Sequence, residues 1–351
     1  MAAQQNELML VTGGSGFVAL HCIAQALAAG YRVRTTVRST SKQSNVLKGL
    51  EKAQPPVNSK NLEFAVADLM KDEGWDKALA GVSLVLHVAS PFPAVQPKDE
   101  NALIRPAVDG TLRVLKAAKS AGSVRRVVVT SSAAAIGYGT AYQPGKVYTE
   151  ADWSDPEGRS GHITPYEKSK TLAERAAWDF IKREGGEMQL TTVNPVGVFG
   201  PPLLWPCEST TCDVINQMLT GKLPGYPDLT LGVVDVRDVA SLHLMAATKP
   251  EASGQRYLAV AGKSLSLADM GAVLRKDLPE HAGRVPTRNL PTFLVKIMSY
   301  LMPQLRDIAP QLGQKKDYSN DKAKSLGWKP KSADEAIASC GQALVDAGVL
   351  R

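Results

Sequence analysis

Residues 8–19 read L-M-L-V-T-G-G-S-G-F-V-A, and the fold follows from how they are parsed. Leu8–Val11 is a short apolar run of strand type, and an apolar helical pattern then occupies residues 17–29. Between them Gly13 permits a tight strand-to-helix turn, and Gly16 lets a ligand approach the backbone at the helix start. Amide N–H groups and the helix dipole favour an anion there, a pyrophosphate above all. Ala19 is small enough for the helix to pack close on the strand. The unit predicts a dinucleotide cradle built from Thr12, Gly13, Ser15, Gly16, Phe17 and Val18.

The end of the second strand says which dinucleotide. An NAD site places an acid about 20 residues beyond the loop, where it bonds the ribose 2′-hydroxyl. Between Glu7 and Glu51 there is no Asp or Glu. Residues 37–42 read V-R-S-T-S-K instead, so Arg38 and Lys42 stand where a 2′-phosphate would lie. A guanidinium holds such a phosphate bidentately, whereas an acid repels it. NADP(H) is the expected cofactor; a solvated basic loop is the alternative reading. Asp68 and Leu69, after the third strand, are candidates for the adenine amino group, and a helix N-cap is the other reading of Asp68.

Strand-like runs at Leu8–Val11, Val33–Val37, Leu62–Ala67, Leu84–Ala89, Val127–Thr130 and Leu190–Val193 alternate with helical stretches at 17–29, 99–121 and 166–184. Such alternation predicts an α/β fold, a Rossmann-type doubly wound parallel sheet covered on both faces. Glycines after A-A and S-A cap the first two helices, and Pro106 predicts a kink in the second. Beyond residue 195 proline and glycine crowd the chain, as in GPPLLWP, before an apolar run at 231–236 resumes the strand pattern. Residues 1–195 therefore read as the NADP(H)-binding domain, with a strand returning near 231–260. Residues 196–230 and 261–351 read as a smaller, mostly helical substrate-binding portion.

The 351 residues carry a net charge of +7, with 44% hydrophobic and 21% charged residues. Lysines and arginines are scattered rather than massed, which argues against nucleic acid and for an anionic cofactor or a basic surface. Cys22, Cys207, Cys212 and Cys340 form no metal-type spacing, and reduced thiols are expected. No His/Asp/Glu cluster suggests a metal. No signal-peptide pattern and no apolar run of membrane-spanning length is visible, so a soluble cytoplasmic protein without membrane attachment is expected. The run 293–302, interrupted by Lys296, reads as an amphipathic helix.

T-P-Y-E-K-S-K-T-L-A-E, residues 164–174, places Tyr166 and Lys170 one helical turn apart, on one face. A phenol with a pKa near ~10 becomes a usable proton donor and acceptor when a cation lies beside it. The spacing alone decides nothing, because Tyr142/Lys146 and Tyr318/Lys322 share it. Pro144-Gly145 forbids a helix in the first, and the second lies beyond the last strand with no evident route to the cofactor. Tyr166 follows the strand that delivers Thr130, Ser131 and Ser132, and open α/β sheets bind ligands at such strand ends. His87 ends the fourth strand near the cofactor, with Ala89 beyond it, and His162 could face the substrate; His21 and His243 read as packing or surface residues.

TGGSGFVA, TSSAAAIG, YEKSK, NPVGVFGPP and VVDVRDVA together resemble the extended short-chain dehydrogenase/reductase superfamily. Within it they look most like the aldehyde and ketone reductases related to dihydroflavonol-4-reductase. The resemblance covers residues 7 to about 260, with an echo in SNDKAKSLGW at 319–328. It implies Tyr166 as proton donor, Lys170 as ribose ligand and pKa-lowering cation, and Ser132, or failing it Ser131, as the hydroxyl that holds the carbonyl. It also implies that Asn194, Pro195, Val196 and Val198 line the nicotinamide side. Plant dihydroflavonol reductases carry an asparagine soon after this serine; here the stretch is Ala134-Ala135-Ile136-Gly137-Tyr138, which points away from a dihydroflavonol. The expected reaction is NADPH-dependent reduction of a hydrophobic aldehyde or ketone, with dihydroflavonol 4-reductase-type activity, or an NAD-dependent nucleotide-sugar epimerase or dehydratase, as the alternatives. Phe, Leu, Trp, Ile and Met from the loop after Pro195 and from 293–302 are expected around the pocket. Monomer and homodimer both remain open.

Overall fold

The computed structural model describes residues 7–90, 99–207, 209–301, 303–306 and 308–350. Five strands open the main sheet: β1 (Leu8–Val11), β2 (Arg32–Val37), β3 (Leu62–Val66), β4 (Leu84–His87) and β5 (Arg126–Thr130). After a short β6 (Val147–Tyr148) come β7 (Gln189–Pro195), β8 (Gly197–Phe199), β9 (Thr230–Leu231), β10 (Val233–Asp235) and β11 (Arg256–Ala259). Two short strands, β12 (Leu265–Ser266) and β13 (Asp317–Tyr318), follow. The seven-stranded sheet has the order β11-β7-β5-β4-β1-β2-β3, and its pairs are all parallel. Strand order reverses between β1 and β4, and a crevice opens at such a switch point.

The helices are α1 (Phe17–Ala28), α2 (Gln43–Glu51), α3 (Trp75–Leu79), α4 (Asn101–Ala121), α5 (Pro165–Glu184), α6 (Thr210–Thr220) and α7 (Val236–Thr248). The remainder are α8 (Leu267–Asp277), α9 (Thr292–Leu301), α10 (Pro303–Arg306), α11 (Asp321–Ser325) and α12 (Ala333–Asp346). Side-chain alternation along β1 shows how the layers form. Met9 and Val11 pack with residues of α1, α2 and α7. Leu8 and Leu10 face the other way, into a core shared with α3, α4 and α5. A third core joins α6, α8 and α12 over the C-terminal edge of the sheet.

One expectation changes. The apolar run at 231–236 does not extend the main sheet: Val233–Asp235 pairs with β8 in a small sheet of its own, and the seventh strand is β11. Helix α4 runs on through Pro106 and ends at Gly122, whose φ is +68°. Cys212 sits on α6, its sulfur 3.6 Å from that of Cys340, and none of the four cysteines is in a disulfide.

One buried ion pair fastens α5 to the sheet. Glu174 accepts from Arg256 Nε at 2.6 Å, Asn194 Nδ2 at 2.7 Å, Ser131 Oγ at 2.5 Å and Thr192 Oγ1 at 3.2 Å. Arg256 also donates to the carbonyls of Glu150 and Asp152 and lies over the Trp153 ring. Removing one partner of a buried pair leaves an uncompensated charge. Arg256→Met should therefore lower unfolding stability by about 3–5 kcal/mol, seen as a lower guanidinium midpoint. A loss below about 1 kcal/mol would show that the pair does not hold the helix.

Candidate active site

The cradle at β1–α1 forms as a stitched loop. Gly13, at φ +72°, donates its N–H to Thr36 Oγ1 at 2.9 Å, and Gly14 donates to the Thr36 carbonyl at 2.9 Å. A Cβ on Gly13 would meet Ala89 Cβ at 2.9 Å, so no larger residue fits between the strands. No side chain caps the start of α1 and its first turn holds no acid, which leaves the first amides for an anion.

A continuous cleft of about 930 Å³ runs from this loop along the C-terminal edge of the sheet. Gly13, Ser15, Gly16, Phe17, Val18, Arg38, Lys42, Asp68, Leu69, Ala89 and Thr130 line it, as do Ser132, Tyr166, Pro195, Val196 and Val198. Arg38, Lys42 and Lys48 gather at one end, and neither Arg38 nor Lys42 pairs with a carboxylate among the described residues. A dinucleotide with an extra phosphate beyond the second strand fits this donor set. Asp68 Oδ1 accepts from the Met70 N–H at 3.0 Å within a turn, and the next helix, α3, has Gly74 rather than Asp68 as its N-cap.

Thr12 and His87 lie beneath the cleft rather than on its wall. Thr12 Oγ1 accepts from the Val88 and Ala89 amides at 3.0 Å each, and sits 3.0 Å from His87 Nδ1. With both lone pairs used, the hydroxyl proton points to Nδ1, which makes the ring a neutral acceptor there. Burial, aided by Lys170, holds the His87 pKa down to about 3. The pair fixes the β4 end, and His87 also lines a small cavity beside Lys170.

Tyr166 stands in the first turn of α5, where a capping box fixes the helix start: the Glu167 carboxylate accepts from the Thr164 N–H, and Thr164 Oγ1 from the Glu167 N–H. Its phenol is hydrogen-bonded to Ser132; burial raises its pKa and that bond opposes the rise. Ser132 Oγ also accepts from the Ala134 N–H at 3.1 Å, and its carbonyl accepts from Asn194 Nδ2 at 3.2 Å. Ser131 instead spends its hydroxyl on Glu174, which removes it as the alternative. Lys170 lies in a small adjoining cavity with His87, Ala89, Ser90 and Thr130. Its Nζ donates to Ser90 Oγ at 3.0 Å and is 5.8 Å from the Tyr166 ring centroid. Burial lowers its pKa to about 8. Ser90 carries no pattern in the sequence that would have marked it.

Other expectations need correction. Helix α9 does not line the cleft: Phe293, Ile297 and Tyr300 are exposed, at 68%, 56% and 81%, and Met302 lies outside the described residues. The loop contributes its apolar side as expected, through Pro202, Leu203, Leu204 and Trp205. His162 is exposed and away from the cleft, whereas His21 and His243 are buried. Tyr318 has a route to the site after all. Strand β13 pairs with β6, carrying Tyr318 into the cleft wall, where its phenol is hydrogen-bonded to that of Tyr138.

Compared with known proteins, residues 9–261 match the family model described as the NAD dependent epimerase/dehydratase family. Cinnamoyl-CoA reductase 1 of Petunia hybrida is 33% identical over 345 residues, which cover 96% of this chain and 98% of its own. Ketoreductase azaE of Aspergillus niger is 35% identical over 296 residues, 81% of this chain and 86% of its own. The crystal structure of yeast methylglyoxal/isovaleraldehyde reductase Gre2 complexed with NADPH aligns with a TM-score of 0.78 at 28% identity, covering 97% of this chain and 99% of that one. With the match spanning most of the sheet and these relatives most of the sequence, the chain belongs to the NAD dependent epimerase/dehydratase family, the extended short-chain dehydrogenases/reductases.

Proposed function

We propose that this chain is an NADPH-dependent reductase that converts hydrophobic aldehydes or ketones to alcohols, the reverse oxidation being available to the same site. The hydrogen-bonded Tyr166–Ser132 pair, facing one cleft whose far end gathers Arg38 and Lys42, carries the reading. The glycine loop, Arg38 and Lys42 would hold the cofactor, with Asp68 and Leu69 toward its adenine and Pro195, Val196 and Val198 on its nicotinamide side. When bound, NADPH supplies the hydride.

The remaining chemistry belongs to the side chains. Ser132 Oγ takes the Ala134 N–H as acceptor, so its own proton is free to point at a carbonyl oxygen or at Tyr166. Tyr166 gives its proton to that oxygen as negative charge develops there. Lys170, held by Ser90, steadies the phenolate that remains. The walls around this trio include Ala133, Ala134, Leu203, Leu204 and Trp205, which suit an apolar substrate body.

An epimerase acting on nucleotide sugars is the second reading, favoured by the family description. Such a substrate needs cations for its diphosphate, and residues 188–221 contain neither Arg nor Lys. The deciding assay follows NADPH absorbance with aryl and medium-chain aldehydes, ketones, dihydroflavonols and UDP-sugars. Turnover is expected for the simple carbonyls, little for dihydroflavonols and none for the sugars. Epimerisation of a UDP-sugar with co-purified NAD⁺ would replace the proposal.

Tyr166→Phe should lower turnover by about 10²–10⁴-fold with NADPH binding kept within a few-fold, because only the proton is lost. Lys170→Met should abolish turnover yet raise the denaturation midpoint, since the buried ammonium is destabilising to the fold. A midpoint that falls would contradict this electrostatic account. Arg38→Asp should weaken NADPH binding about 10- to 100-fold and leave NADH nearly unaffected, as measured by fluorescence titration. Equal affinity of the unaltered protein for both cofactors would remove Arg38 from the 2′-phosphate site.

A further inference from the structure

The wall facing the apolar loop is polar, and it comes from residues 311–318. Gln311, Gln314, Lys316 and Tyr318 line the cleft beside Tyr138, Tyr166 and Glu167. Lys316 Nζ rests 3.6 Å from the centroid of the Tyr138 ring, and Tyr138 is in turn hydrogen-bonded to Tyr318. No carboxylate lies within ion-pair distance of Lys316 among the described residues. Glu167 is the neighbouring acid, but it is engaged elsewhere, accepting from the Thr164 N–H at 2.7 Å and from Gln311 Nε2 at 3.1 Å. Burial raises the pKa of Glu167, and Lys316 opposes that rise through space, although no ion pair joins the two.

Among the described residues the Tyr138 ring face is the close partner of this ammonium, a poor placement for a partly buried charge. Desolvation lowers the Lys316 pKa to about 8, which expresses the same deficit. A ring fixes the position of a cation but does not neutralise it. Glu167 attracts this ammonium only through space, so a ligand carboxylate would be its first directly paired anion, and the site shares its cleft with the reacting phenol.

We propose that Lys316 receives a carboxylate of the substrate, so that the preferred substrates are oxo acids with an apolar body. The body lies against Leu203, Leu204 and Trp205, the reducible carbonyl meets Tyr166 and Ser132, and the carboxylate meets Lys316. The reaction itself is unchanged. The C=O π bond breaks, a C–H bond forms with the hydride of NADPH and an O–H bond with the Tyr166 proton, and NADP⁺ is released. The carboxylate takes no part in bond changes. This inference rests on the carbonyl-reductase reading and adds to it the substrate's charge.

The test is a matched pair, 4-formylbenzoate and its methyl ester, assayed by NADPH consumption. A charged hydrogen bond at Lys316 should give the acid about a 10- to 100-fold higher kcat/KM than the ester. Lys316→Met should bring that ratio near one, Lys316→Glu should invert it, and Lys316→Arg should keep most of it, which guards against a folding defect. Reduction of the ester with no preference for the acid in the unaltered protein overturns the carboxylate site alone. A preference that survives Lys316→Met overturns the assignment to Lys316. Reduction of neither compound overturns the carbonyl-reductase reading and this inference with it.

Discussion

The Glu174 carboxylate is the point from which the active site is measured. It lies on α5 one turn beyond Lys170 and two beyond Tyr166, on the same face of the helix. Besides Trp178 on its own helix, its partners come from three strand segments: Ser131 after β5, Thr192 and Asn194 in β7, and Arg256 at the start of β11. Asn194 then reaches on to the Ser132 carbonyl. Helix azimuth, strand register and serine position are thus set by one buried anion. Burying an ion is unfavourable unless each lone pair finds a donor, and that requirement admits few arrangements. Geometric definition here is the same thing as charge compensation.

The two cationic ends of the cleft work under different physics. Arg38 is exposed, so its attraction for a phosphate is screened by salt and felt within about 10 Å at 0.1 M. Lys316 is partly buried against an aromatic ring, where screening is weak and desolvation strong. The first suits recognition of a cofactor that arrives with several charges. The second suits discrimination between small molecules that differ by one. Tyr166 lines the same cleft, where partial burial raises its pKa and so keeps the phenol protonated for donation to a developing oxyanion.

Much of this was legible in the sequence where local chemistry and long-range packing agree. The glycine loop requires φ > 0 at Gly13, and only a few folds use such a turn between a strand and a helix. Alternation of strand and helix gave the doubly wound sheet, since each element needs its apolar face covered. What stayed hidden depended on pairing between distant segments. Nothing local tells that 256–259 rather than 231–236 completes the sheet, because both runs are short and apolar. Likewise Tyr318 enters the cleft only because β13 pairs with β6, some 170 residues earlier in the chain. The hydrogen bond between Thr12 and His87, beneath the cleft, also joins two strand ends that no local pattern pairs. The apolar face of α9 looked like pocket lining because composition cannot distinguish a side chain that faces a ligand from one that faces outward.

The order of the strands also has a meaning for synthesis. β7 ends at Pro195, and its outer neighbour β11 begins at Arg256, some 60 residues later. At about 5–20 residues per second, a ribosome leaves that interval open for about 3–12 s. Throughout it, the backbone edge of β7 is an unpaired template for other strands, and the Glu174 carboxylate lacks its arginine. That interval, once the cofactor half has been made, is when the nascent chain offers this edge to mispairing, and slower translation through residues 196–255 would lengthen it.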